Sequence, residues 1–379
     1  MQYKIFPKLN IKVSRFGMGC MRLPKKKDET GKRITDEQES IKMIRYAIEN
    51  GVNYFDTAYV YKDSEATVGK ALNGGLREKV FIATKCPIDR VKKQEDFDTL
   101  LDESLKRLQT GYIDFYLLHG LNKSCWKNIK KFNLLDKLDN AKKEGKIIYR
   151  AFSFHDDLEL FKEIIDSYNW DMCQIQLNFM GENFQAGVEG LKYASSKGIG
   201  VVIMEPLLGG ILAENVPPDI VEKWNSSGIK RTPAEWAFRW LANFPEVTII
   251  LSGVSNMGQL KENVKIFERV FPNLITEKEA KTFGEVKRLY EEKLKVRCTG
   301  CSYCMPCPSG VNIPGVLWQY NSAYMNDPEL LKEGYESWFC HNRMDASQCI
   351  ECGQCEEKCS QHIAIMDELK AAHEYLKSR

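Results

Sequence analysis

Between about residues 14 and 270 the chain alternates two patterns. Short, nearly continuous apolar runs are separated by longer stretches in which apolar residues recur every three or four positions. The apolar runs are SRFGMGCM, NYFDTA, VFIATK, IDFYLLHG, IIYRAFSF, MCQIQLN, GIGVVIME and VTIILSGV. Their length suits strands, and their lack of polar alternation suits strands buried on both faces. The helical period occupies roughly 65–73, 95–109, 127–144, 156–168, 185–197, 232–244 and 256–268. A further helix is expected to open at Thr35, where Thr35 and Gln38 have the spacing of a capping box. Repeated strand–helix units with buried strands predict an α/β fold, a closed (β/α)8 barrel of the TIM type. An open, doubly wound sheet is the competing architecture. Its one glycine-rich candidate, GMGCM at Gly17–Met21, lacks the third glycine of a dinucleotide fingerprint.

A last amphipathic segment, TEKEAKTFGEVKRLYEEKL, leads out of the barrel. The expected division is therefore a barrel with its trailing helix over 1–294 and a small, mainly α-helical domain over 295–379. The middle of the second part, VLWQYNSAYMNDPELLKEGYESWF, reads as helical and aromatic-rich.

Charge removes several classes of function. The 54 basic and 52 acidic residues are interspersed and leave a formal net charge of +2. No basic stripe calls for nucleic acid, and no polybasic run calls for a membrane surface. No apolar stretch approaches the roughly 18 residues of a membrane span. The N-terminal MQYKIFPKLNIKV has no long apolar core of a signal peptide, so a cytoplasmic location is expected.

The 13 cysteines are too unevenly spread to be staples, and a chain of this size needs none. Cys20, Cys86, Cys125, Cys173 and Cys340 are scattered. The other eight form two runs: Cys298, Cys301, Cys304 and Cys307, followed by Pro308, and then Cys349, Cys352, Cys355 and Cys359. Structural zinc sites use pairs of cysteines separated by a longer loop. Three cysteines in succession at two-residue gaps instead wrap three corners of a cubane, with a distant fourth. The second run has the spacing C-x2-C-x2-C-x3-C, and the first is one residue shorter before its last cysteine. Pro308 and Pro314 are expected to fix the turn out of the first run.

Three polar residues fall at the C-terminal ends of successive strands: Asp56 in FDTAYVY, Lys85 in IATK and His119 in YLLHG. Tyr61 follows Asp56 by five positions. That end of a parallel barrel carries the chemistry. A strand-end Asp usually caps a helix, a strand-end Lys is usually solvated, and a lone His is more often a core hydrogen-bonder. Together at matching strand ends they point to a site.

DTAxxY with Glu65 behind it, and then the strand-end Lys and His, resembles the aldo-keto reductase family over about residues 1–270. The resemblance implies a tetrad of Asp56, Tyr61, Lys85 and His119. Its chemistry is sensible: reducing a carbonyl needs a hydride to carbon and a proton to oxygen. Tyrosine is a weak acid, with an ordinary pKa of about 10. A Lys85 ammonium held by Asp56 favours its phenolate, and His119 hydrogen-bonds the carbonyl. The resemblance also implies a nicotinamide cradle from Ser153, Gln174, Met204, Glu262 and Asn263. In it, Phe154 stands where Asn is usual and Met204 where an aromatic is usual. Gly253 and Gln259 stand where cations clasp a 2′-phosphate, which leaves Lys261 as the nearby cation. No strong preference for the phosphorylated cofactor is expected.

The two cysteine runs resemble a two-cluster ferredoxin. This implies two [4Fe–4S] clusters in which the fourth cysteine of each run serves the other: Cys298, Cys301, Cys304 with Cys359, and Cys349, Cys352, Cys355 with Cys307. Clusters pass single electrons whereas hydride carries two. A flavin at the barrel mouth, sharing or replacing the nicotinamide role, is therefore also considered. The expected function is an oxidoreductase acting on a small carbonyl or enone and exchanging electrons with its clusters and a one-electron partner protein. The alternative is an electron-transfer or redox-sensing protein in which the barrel is a docking or flavin-binding scaffold.

Overall fold

The computed structural model describes residues 1–326 and 328–378. Its contacts divide the chain into two compact units. The first comprises Met1–Pro206 and Phe238–Leu274; the second comprises Leu207–Ala237 and Ile275–Arg379. The sequence assigns the trailing helix to the barrel, whereas the contacts group it with the cysteine segment.

The first unit opens with an antiparallel pair, β1 (Tyr3–Ile5) and β2 (Lys12–Ser14). A second antiparallel pair, β4 (Lys25–Lys27) and β5 (Arg33–Thr35), forms a hairpin after β3 (Phe16–Gly19). The barrel is completed by β6 (Tyr54–Asp56), β7 (Phe81–Pro87), β8 (Ile113–Leu121), β9 (Ile147–Phe154), β10 (Met172–Gln176), β11 (Gly200–Met204) and β12 (Val247–Ser252). With β3 these strands form a closed parallel ring in chain order, β12 returning to β3 through Ile250↔Phe16 and Leu251↔Gly17. The expected (β/α)8 barrel is the fold. The helices are α1 (Glu37–Glu49), α2 (Ser64–Ala71), α3 (Glu95–Leu108), α4 (Lys123–Lys131), α5 (Leu134–Lys143), α6 (Leu158–Ser167) and α7 (Gly187–Ser196). They continue with α8 (Pro218–Ser226), α9 (Pro233–Ala242) and α10 (Met257–Ile266).

Two helix boundaries differ from the sequence reading. Thr35 does not cap α1: it ends β5, opposite Lys25, and its hydroxyl accepts from Lys25 Nζ at 2.7 Å. The cap is Asp36, whose carboxylate accepts from the Glu39 N–H. The stretch 127–144 is two helices, because Asn133 takes the left-handed conformation (φ 49°) between α4 and α5.

Strand periodicity sets the interior. Tyr54, Ala83, Phe115, Leu117, Ala151, Met172, Val202, Ile249 and Leu251 form one buried cluster with Phe6 and Val13. The Phe115 ring lies 5.2 Å from that of Phe6 and 4.8 Å from that of Tyr149, centre to centre. Successive side chains of a strand alternate faces. Counting two residues onward from these core positions reaches Asp56, Lys85, His119, Ser153, Gln174 and Met204. Apolar layers thus fill the barrel, and a polar layer crowns it.

In the second unit, α8 and α9 pack on α11 (Glu277–Lys293) through a Trp224–Trp236 stack, 4.7 Å between centres, with Phe283 edge-on to both. A capping box between Thr276 and Glu279 starts α11. Next come α12 (Ile313–Met325), α13 (Pro328–Gly334), a π-helical turn at Tyr335–Cys340, the short α14 (Gln354–Glu357) and α15 (Ile365–Lys377). Val316, Leu317 and Tyr320 of α12 meet Ile365, Leu369 and Ala372 of α15 in the core of this part. The region is mainly α-helical, as expected.

Phe6 is fully buried, and a Cβ added at Gly200 would lie 1.9 Å from its Cε1. Gly200→Ala is therefore predicted to destabilise the barrel by about 1–3 kcal/mol, the usual scale of core overpacking. Urea midpoints check this, and Phe6→Leu in the same chain should recover part of the loss.

Candidate active site and cysteine centre

Asp56, Lys85 and His119 occupy neighbouring strands. Asp56 is paired opposite Ala83, two residues before Lys85; Lys85 is opposite Leu117, two residues before His119. Lys85 is 1% exposed. Its Nζ donates to Asp56 Oδ1 and to the Thr57 carbonyl, both at 2.7 Å. An ammonium so deeply buried needs such partners. Tyr61, in the loop before α2, lies over the pair: Lys85 Nζ is 5.1 Å from the centre of its ring. The Tyr61 and His119 rings meet edge to face with centres 6.0 Å apart. All four predicted tetrad residues are thus brought together.

Burial pushes the Asp56 carboxyl above its ordinary range, and Lys85 opposes this. Its Oδ2 is buried without a hydrogen-bond partner among the described residues. Burial, then the charge of Lys85 and then His155, holds the His119 imidazole well below its usual value. His119 is therefore neutral near pH 7.

Among the predicted cradle residues, Ser153 and Gln174 face the same mouth. Ser153 Oγ accepts from the Gly120 N–H at 2.8 Å, which leaves its own proton to donate. Gln174 Nε2 points to Met204 Sδ at 3.7 Å, while its Oε1 is buried and unpartnered among the described residues. A donor and an orphaned acceptor on adjacent strands fit the carboxamide of a nicotinamide. Phe154 turns the other way, onto Phe161 of α6 at 5.1 Å between ring centres, so its own ring lies outside the cradle. Asn263 is buried and donates to Ser252 Oγ at 3.0 Å, tying α10 to β12. Glu262 is half-buried beside it.

Two residues escaped the sequence reading. His155 follows β9, and its N–H donates to the Leu121 carbonyl at 2.9 Å, which joins two strand ends. Its place two residues after Ser153 was the available signal. Arg22 is the other: a Cβ at Gly253 would touch its side chain at 3.7 Å. Lys261, the cation expected near Gly253, instead sets its Nζ over the Tyr46 ring, 5.8 Å from the centre. Arg22 faces Glu205 at 3.9 Å.

In the second unit, Asn321 positions the approach to the first cysteine run. Its Oδ1 accepts from the N–H groups of Lys295 and Val296, and its Nδ2 donates to the Val296 carbonyl at 2.6 Å. Cys307 lines one cavity with Cys349, Cys352 and Cys355; Cys304 is at the same cavity. Burial, then the proximity of Cys301, Cys298 and Cys359, pushes the Cys304 thiol up to about 12. The structure thus places Cys359 beside the first run and Cys307 beside the second. Burial works against ionisation of Cys307, but Ser309 Oγ at 3.3 Å and the N–H groups of Ser309, Val311 and Gly310 outweigh it and lower its pKa. Among the described residues no three His, Cys, Asp or Glu side chains converge on one point as ligands of a single ion do.

Residues 15–278 match the model of the aldo/keto reductase family. The chain belongs to the aldo/keto reductase family. Residues 297–364 match the 4Fe-4S dicluster domain, so this reductase carries an iron–sulfur domain at its C-terminal end. Over 253 residues the reductase is 30% identical to L-galactose dehydrogenase of Arabidopsis thaliana, covering 60% of this chain and 77% of that one. Over 243 residues it is 30% identical to glyoxal reductase of Bacillus subtilis, covering 62% and 80%. Among solved structures, the holo form of aldo-keto reductase AKR11C1 from Bacillus halodurans shares the fold. Its TM-score is 0.60 at 24% identity, over 76% of this chain and 96% of that one. No helix among the described residues is long and apolar enough to cross a membrane.

The neutral state of His119 has a consequence for stability. Its folded pKa lies below that of the unfolded chain, where a histidine takes up its proton near pH 6.5. Below that pH the unfolded state binds more protons. The contribution is therefore complete above about pH 6.5 and declines as pH falls. Tm measured from pH 8 to 5 should show an acid decline that His119→Gln makes shallower; identical acid limbs would mean that His119 charges in the folded protein.

Proposed function

We propose that the barrel interconverts a small carbonyl or enone compound and its reduced form at Tyr61, and that the C-terminal domain holds two [4Fe–4S] clusters exchanging electrons with it. The observation that carries the first part is the buried Lys85–Asp56 pair at 2.7 Å, with its ammonium 5.1 Å from the centre of the Tyr61 ring. Tyr61 gives its proton to the carbonyl oxygen. Lys85, fixed by Asp56 and Thr57, places positive charge where negative charge grows on the phenol oxygen. His119, neutral, donates a hydrogen bond that orients the carbonyl. A nicotinamide, when bound, supplies the hydride; Ser153 and Gln174 would hold its carboxamide. Relatives named for L-galactose and glyoxal support a carbonyl–alcohol couple as the substrate class.

The cysteines support Cys298, Cys301, Cys304 and Cys359 for one cluster, and Cys349, Cys352, Cys355 and Cys307 for the other. The clusters supply electrons singly, which suits a one-electron carrier protein as partner.

Tyr61→Phe removes the proton donor and is expected to lower turnover of a carbonyl panel by roughly 10²–10⁴, the range for general acid–base catalysis. Iron should stay near the roughly eight per chain of two cubanes. Turnover at the native rate would remove Tyr61 from the mechanism.

The reductase is also expected to bind the two reduced nicotinamides with similar affinity. Gly253 and Gln259 supply no cation, Lys261 lies over Tyr46, and Arg22 faces Glu205. Anaerobic titration with each nicotinamide, and with free flavin in parallel, checks this. Tight, selective binding of the 2′-phosphorylated form would overturn it.

A further inference from the structure

The turn that follows the first cysteine run is built around one sulfur. In Cys307-Pro308-Ser309-Gly310-Val311 the Gly310 N–H closes the turn on the Cys307 carbonyl at 3.1 Å. Gly310 has φ 85°, a conformation that side chains resist and that lets consecutive N–H groups face one point. Cys307 Sγ lies at this turn, and the N–H groups of Ser309, Val311 and Gly310 favour its negative charge. Ser309 Oγ lies 3.3 Å from the same sulfur, to which its hydroxyl can donate. Cys355 lines the same cavity, where burial pushes its thiol up and the N–H groups of Cys355 and Glu356 oppose that. Cys352 is exposed, and its neighbour Ile350 is 66% exposed. The other set differs in its surroundings. Cys298, Cys301, Cys304 and Cys359 are all half-buried, as are Cys307, Cys349 and Cys355, so the exposed Cys352 distinguishes the two sets.

Reduction adds one negative charge to a cluster and its sulfurs. Donors aimed at the sulfurs and access to solvent both stabilise that charge and raise the potential; burial lowers it. Both effects favour the set that contains Cys307.

We infer that the cluster held by Cys349, Cys352, Cys355 and Cys307 has the higher reduction potential of the two, and that Ser309 is a positioning residue that tunes it. The inference rests on the two-cluster reading proposed above. It makes the Cys307 cluster the first to be reduced when electrons are added.

The full chain, purified without oxygen, is titrated with dithionite in a redox cell and followed by electron paramagnetic resonance. Two couples are expected. Ser309→Ala should move the upper couple to more negative potential and leave the lower one in place. Ser309→Thr, which keeps the hydroxyl, should return it towards the native value. A shift of the lower couple alone, movement of neither, or coincident potentials in the native protein would each overturn the inference. If Ser309→Ala loses one cluster, the survivor should match the lower native couple; survival of the upper couple overturns the assignment. Native iron well below about eight per chain rejects the cluster reading itself, independently of any potential.

Discussion

Closure of the strand ring is the constraint on which the first unit depends. Eight parallel strands have no free edge only if the last pairs with the first, and here β12 does so with β3. Once the ring is closed, side chains alternate strictly between the interior and the helices. One interior layer carries Tyr54, Phe115, Ala151 and Val202, and Phe6 belongs to the same cluster. The next interior position on those strands is Asp56, Leu117, Ser153 or Met204. Site and core are thus one lattice read at different heights. A one-residue slip of any strand would exchange a site side chain for one that faces a helix. Phe154 and Ser153 show the two fates side by side.

The polar layer is costly unless its members pair. Lys85 is buried among the strands and holds its charge through Asp56 and the Thr57 carbonyl. That pairing explains why the ammonium stays beneath Tyr61 instead of reaching solvent, as a lysine at a strand end ordinarily would. Burial first, and then the same charge, opposes protonation of His119. The result is a neutral imidazole beside a phenol and an ammonium.

The second unit solves a different problem. Short cysteine-bearing loops have little core of their own. They are suspended between α12 and α15, whose contact through Tyr320, Leu317, Leu369 and Ala372 supplies the apolar interior. Asn321 of α12 holds Lys295 and Val296 by three hydrogen bonds just before the first cysteine. Asn312, which caps α12, takes its own backbone bond from its N–H to Met344, ahead of the second run. The helices therefore fix both cysteine segments relative to each other.

Much of this was legible in the residues. Unbroken apolar runs separated by helical periods point to a parallel sheet covered on both faces, and the pairing of β12 with β3 closes it into a ring. Regular two-residue gaps mark the cysteine runs, and strand-end Asp56, Lys85 and His119 mark the site, because these features depend on local spacing alone. Features that depend on a second segment were not legible. Thr35 carries a capping pattern, yet pairing with Lys25 draws it into a hairpin and hands the cap to Asp36. Arg22 is distant in sequence from Gly253 and lies against it only because β3 and β12 are neighbours. Phe154 follows Ser153 directly, yet strand alternation turns it onto Phe161. The direction of a side chain and the identity of its remote neighbours are properties of the closed ring, and no stretch of sequence contains them.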